Sequence, residues 1–104
     1  MKDFTLGGYM ATHERAAAFT GADGQPYSVA IWVDDEPDAQ GRFGASLLFV
    51  RWSPDGTATT GHVESGTLAW GRTPEEAEAR LAAWSLYDVR AELDEAIARR
   101  PEGW

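Results

Sequence analysis

Residues 42–52 read RFGASLLFVRW, and this stretch limits the fold more than any other in the chain. Successive side chains of a strand point to opposite faces. Phe43, Ala45, Leu47 and Phe49 would make one face, and Ser46, Leu48, Val50 and Trp52 the other. Both faces are apolar. A strand of that kind is usually covered on both sides, so the sheet containing it needs two covers. The stretch 26–34 is more one-sided. Tyr27, Val29, Ile31 and Val33 share its core face, against Ser28, Ala30, Trp32 and Asp34.

Turn signals set the strand boundaries. Gly21-Ala22-Asp23-Gly24 and Ser53-Pro54-Asp55-Gly56 lie between apolar runs. Asp-Gly supplies a positive-φ position at little cost, so both read as hairpin turns. Asp34-Asp35-Glu36-Pro37-Asp38-Ala39-Gln40-Gly41 makes a longer polar connection. The result is four strands in meander order, at 12–20, 26–34, 42–52 and 58–70. Ala16-Ala17-Ala18 has weak strand propensity. Residues 1–11 are expected to add an arm or a short strand.

The helical part starts at Thr73-Pro74-Glu75-Glu76, where Thr73 caps, Pro74 takes the first helical position and Glu76 completes a capping box. Ser85-Leu86-Tyr87-Asp88 is spaced like a second box. Ala77, Leu81 and Trp84 share one helical face, and Leu86, Val89, Leu93 and Ile97 share another. At about 100° per residue these stripes are more than a quarter-turn apart. One straight helix cannot aim both at one sheet. Two consecutive helices are therefore predicted, at 74–83 and 86–99, broken near Ser85. The expected fold class is α+β: a four-stranded antiparallel β-meander followed by a C-terminal helix or kinked helix pair packed on one face. All 104 residues are expected to form a single domain: the arm at 1–11, the meander at 12–70 and the helical segment at 73–100.

Helices on one face leave Trp32, Leu48, Val50, Trp52 and Trp70 on the other, with Leu68 beside them. Each buried aromatic withdraws about 150–250 Å² from water, and monomers rarely expose contiguous apolar patches beyond a few hundred Å². The favoured cover is a second copy of the chain. Phe4, Leu6, Tyr9 and Met10 of the N-terminal arm offer another, and a ligand or a different protein a third.

Composition removes several functional classes. There is no Cys, hence no disulfide, thiolate nucleophile or cysteine metal site. Formal charge is −8, which repels nucleic-acid backbones and anionic membranes unless bases cluster. Arg99-Arg100 is the only adjacent basic pair, and it reads as favourable charge at a helix C-terminus. No signal peptide or membrane-spanning stretch is visible, and a reducing, cytoplasmic home is expected.

The stretch GHVESG, residues 61–66, places His62 and Glu64 on one strand face. Such a pair could ligate a metal or serve as a base and its orienting acid. Catalytic zinc wants three protein ligands, and His13 is the only other histidine. No carboxylate cluster or HExxH accompanies them, and the acidic stretch 34–38 lacks the D-x-D-x-D-G spacing of a calcium loop. No serine stands in G-x-S-x-G. No catalytic, cofactor-binding or metal residues are assigned.

Gly71-Arg72-Thr73-Pro74-Glu75-Glu76-Ala77 is similar to the G-x-T-x-E-E-A stretch of HicB-type antitoxins. Those proteins pack strands on a helix and bind a small basic toxin. The similarity covers seven residues and is largely a capping box, while that family's earlier strand sequence is not matched. It implies no more than an acidic, partner-binding domain.

The sequence favours a small, acidic, non-catalytic interaction or regulatory domain, acting as a homodimer or with another protein, without nucleic acid or membrane. One alternative is a small-ligand-binding protein or minor enzyme using the aromatic face with His62 and Glu64. Another is an acidic inhibitor imitating nucleic acid. The spacing of Glu76 and Arg80 weakens that reading by breaking up any continuous anionic stripe.

Overall fold

The structure is a computed structural model and describes residues 5–13 and 16–99. In chain order its elements are α1 (Leu6–His13), β1 (Ala18–Thr20), β2 (Pro26–Val33), β3 (Phe43–Trp52), β4 (Thr59–Gly71), α2 (Pro74–Ala82) and α3 (Leu86–Arg99). The strands form one antiparallel meander in the order β1-β2-β3-β4. Among the described residues no helix is long and apolar enough to cross a membrane.

Both Asp-Gly turns close as their chemistry dictates. Gly24 and Gly56 adopt φ of 80° and 75°, and each donates its N–H three residues back, to the carbonyls of Gly21 and Ser53. The first turn is tied to the helical layer, because the Ala22 N–H donates to Asp94 Oδ1 at 3.0 Å. The Tyr27 hydroxyl donates to Asp23 Oδ2 at 2.8 Å from within the same hairpin. In the second turn, the Ser53 and Thr57 hydroxyls both donate to Asp55 Oδ1, at 2.6 and 2.8 Å. These bonds favour the ionised carboxylate and lower its pKa to about 2.

β4 has 13 residues opposite the ten of β3. The surplus is taken up at register shifts between Ala45/Ser46, Ser46/Leu48 and Arg51/Trp52. One shift corrects an expectation. Ala45 pairs with Ala69 and Ser46 with Thr67. Leu68 is thus the extra residue, and it packs partly buried against the core rather than beside Trp52. At a second shift the Ser65 hydroxyl, not a main-chain carbonyl, accepts the Leu47 N–H at 2.9 Å.

The helix break falls where the two stripes require it. Thr73 Oγ1 accepts the Glu76 N–H at 3.1 Å, and Ser85 Oγ accepts the Asp88 N–H at 3.1 Å. Glu76 Oε1 reaches the Arg72 N–H, at a long 3.4 Å, instead of the Thr73 N–H that a standard box would use. With the chain redirected between Ala82 and Leu86, Ala77 and Leu81 enter the same buried cluster as Val89, Leu93 and Ile97. Val29, Leu47, Phe49 and Val63 complete it from the sheet.

The N-terminal region differs from expectation. Thr5 makes an isolated bridge to Ser85, and residues 6–13 are helical rather than an arm or strand. Residues 12 and 13 therefore belong to α1, and β1 shrinks from 12–20 to three residues. LGGYMATH is a poor helix former, because glycine costs about 1 kcal/mol relative to alanine. Tertiary contacts override that cost. Leu6 is fully buried, its N–H donates to the Trp84 carbonyl at 2.8 Å, and Thr5 Oγ1 accepts the Gly8 N–H at 3.0 Å. A Cβ on Gly7 would lie 2.9 Å from that of Ala82, so glycine is what lets α1 approach α2.

Candidate functional site

The helices occupy one side of the sheet. Strand pairing defines the row left on the other. Ser28 pairs with Val50 and Val50 with His62, Ala30 with Leu48 and Leu48 with Glu64, and Trp32 with Ser46. Directly paired residues share a face, so Trp32, Leu48, Val50, His62 and Glu64 stand together. Trp52 follows on the same face of β3, where its Nε1–H donates to Ser28 Oγ at 2.9 Å. Trp32 is 62% exposed, while Leu48, Val50 and Trp52 are half-buried.

No described residue of the N-terminal segment covers this surface. Leu6 enters the core from the helical side, and Tyr9 and Met10 pack there beside it. Phe4 lies outside the described residues. A groove of about 370 Å³ runs over the face, with Trp32, Leu48 and Val50 against Thr59, Gly61, His62 and Glu64. The two polar residues singled out in GHVESG therefore line an apolar groove. His13 does not join them. It ends α1, on the helical side, with its ring 4.3 Å from that of Tyr9. Among the described residues no three metal-ligating side chains come together.

Trp70 also has the parity of this face, since it pairs with Gly44 at the far end of β3 from Trp52. Its surroundings are different. Arg42 lies over the indole, with Cζ 5.4 Å from the ring centroid. Asp38 holds Arg42 there through Nε and Nη2, both at 3.0 Å from Oδ2. The Arg42 main-chain N–H is the foremost of the groups that hold the Asp38 carboxyl below its usual range. Arg80 donates to the Trp70 carbonyl at 2.9 Å and pairs with Glu76 at 2.9 Å. Arg42, Trp70, Gly71, Arg72, Glu76 and Arg80 line a second cleft, of about 330 Å³.

Sequence reasoning missed this cleft. Arg42 lies 30 and 38 residues before Arg72 and Arg80 in the chain, and by spacing alone Arg80 reads only as a helical partner of Glu76. The legible signal is the spacing of Arg72, Glu76 and Arg80 at successive intervals of four residues from the strand end into the helix. Comparison with known proteins adds no relative: the chain matches no protein-family model, no curated protein and no solved structure.

Proposed function

We propose that this chain is a small, acidic, non-catalytic interaction domain that pairs with a second copy of itself through the sheet face opposite the helices. The observation that carries the reading is Trp32, 62% exposed on a face that also presents Leu48 and Val50. Trp32 supplies most of the aromatic area still open there, since full burial of an aromatic withdraws about 150–250 Å² and Trp52 is already half-buried. Face-on pairing is favoured over edge-on pairing. β1 is only three residues long, and β4 carries register shifts that spoil a straight edge. The titratable groups beside Leu48 and Val50 are His62 and Glu64, which need not repel across a two-fold axis. A cytoplasmic location is part of the same proposal and rests on the absence of Cys.

Light scattering at about 100 µM tests it, because a dimer with Kd near 10 µM would be mostly associated there. Val50→Glu would bury two like charges at the interface and should yield a folded monomer. A wild type that is already monomeric refutes self-association. The groove then favours the second reading, a small ligand lying on Leu48 and Val50 with His62 and Glu64 as its polar contacts.

A further inference from the structure

We infer that the arginine-lined cleft at the β4–α2 junction binds a small planar organic anion, its carboxylate or phosphate held by guanidinium groups and its ring beside Trp70. This is independent of the self-association reading. The cleft sits at the other end of β3 from Trp52.

Charge is the first reason. The chain carries −8 overall, with nine basic residues, yet three of those nine line this one cleft. Glu76 is the single carboxylate in the lining. Arg80 is offset by Glu76 and Arg42 by Asp38. Arg72 is exposed and has no ion-pair partner among the described residues. One positive charge is thus left over in an otherwise anionic surface.

Preorganisation is the second. Arg42 is fixed by two bonds to Asp38, and Arg80 by the Trp70 carbonyl and Glu76. Each guanidinium has five N–H donors in a rigid fork, so both retain donors after these bonds. Arginines held in this way lose little entropy on gripping a carboxylate or phosphate.

Size and surroundings select the ligand. The cleft, at about 330 Å³, matches the small end of ligand pockets. The neighbouring acids of residues 34–38 repel a long polyanion. The indole of Trp70 carries Arg42 over its ring yet stays 39% exposed, and that remaining surface is what it offers to a ligand's ring.

The test is a titration followed by NMR at the Trp70 indole N–H, assigned with Trp70→Phe, using benzoate, phenyl phosphate, acetate and inorganic phosphate as probes. The ring-bearing anions should shift the Trp70 signal with Kd near or below about 1 mM. Arg72→Gln should weaken them about tenfold or more, the scale of a lost charge-assisted bond, with an unchanged thermal midpoint. Val50→Glu should leave the response intact. No response by about 10 mM, or equal binding by Arg72→Gln, overturns the site. Acetate and inorganic phosphate binding as tightly as their ring-bearing counterparts would overturn the contact with Trp70. Response to only one of benzoate and phenyl phosphate identifies the anionic group the cleft takes.

Discussion

Leu47 and Leu48 are the same residue at adjacent positions of the same strand. Leu47 is fully buried, and Leu48 is half-buried beside an open groove. Phe49 and Val50 repeat the contrast. The two faces of β3 differ little in hydrophobicity. What differs is that α2 and α3 lie over one of them. A hydrophobic pattern states that cover is needed; it does not state where the cover comes from.

The largest expected effect tests that contrast directly. Phe49→Ala should cost about 3–5 kcal/mol in urea unfolding, through lost burial and the cavity left behind. Val50→Ala should cost less than about 1.5 kcal/mol in dilute protein, since its side chain is only half-buried. If the outer face pairs with a second copy, the Val50→Ala cost should grow with protein concentration. A large cost that ignores concentration would mean that the chain covers this face itself.

Next in size is the break that brings both helical stripes onto the inner face. Ser85→Ala removes the acceptor of the Asp88 N–H and should lower stability by about 0.5–2 kcal/mol. A helix continuous through this point would instead tolerate or welcome alanine. An unchanged or raised melting midpoint contradicts the cap.

The smallest effect lies at the turn between β3 and β4. Asp55 titrates near 2 in the folded chain, below its ordinary 3.8. A depressed carboxyl stabilises the fold above the unfolded pKa, and that contribution is lost as pH falls through the folded one. The window is therefore about pH 4 down to 2. Carboxyl NMR should place the Asp55 midpoint near 2, and Ser53→Ala should move it upward, because the Ser53 hydroxyl is the largest cause of the shift.

Much of the architecture was legible in local chemistry. Asp-Gly turns, the one-sided pattern of 26–34, the two-sided apolar run of 42–52, and two capping serine or threonine residues act over a few positions each, so their consequences can be read without a partner. Residues 6–13 could not be read that way. Their helix exists because Leu6 finds the core and Trp84 accepts its N–H, and both are long-range facts. The parity of Leu68 was hidden for a similar reason. A bulge is a property of two strands in register, and no single strand shows it. The same distinction divides the candidate sites. The shared face of His62 and Glu64 follows from a spacing of two. Their place beside Leu48 and Val50 follows from pairing with β3. Arg42, Arg72 and Arg80 meet around Trp70 only because the start of β3 pairs with the end of β4, Phe43 opposite Gly71, just ahead of α2. Sequence by itself determined the strands around the two Asp-Gly turns and the two capped C-terminal helices, because those signals are local; tertiary packing decided that residues 6–13 become a helix, which apolar face stays open and which distant charges converge.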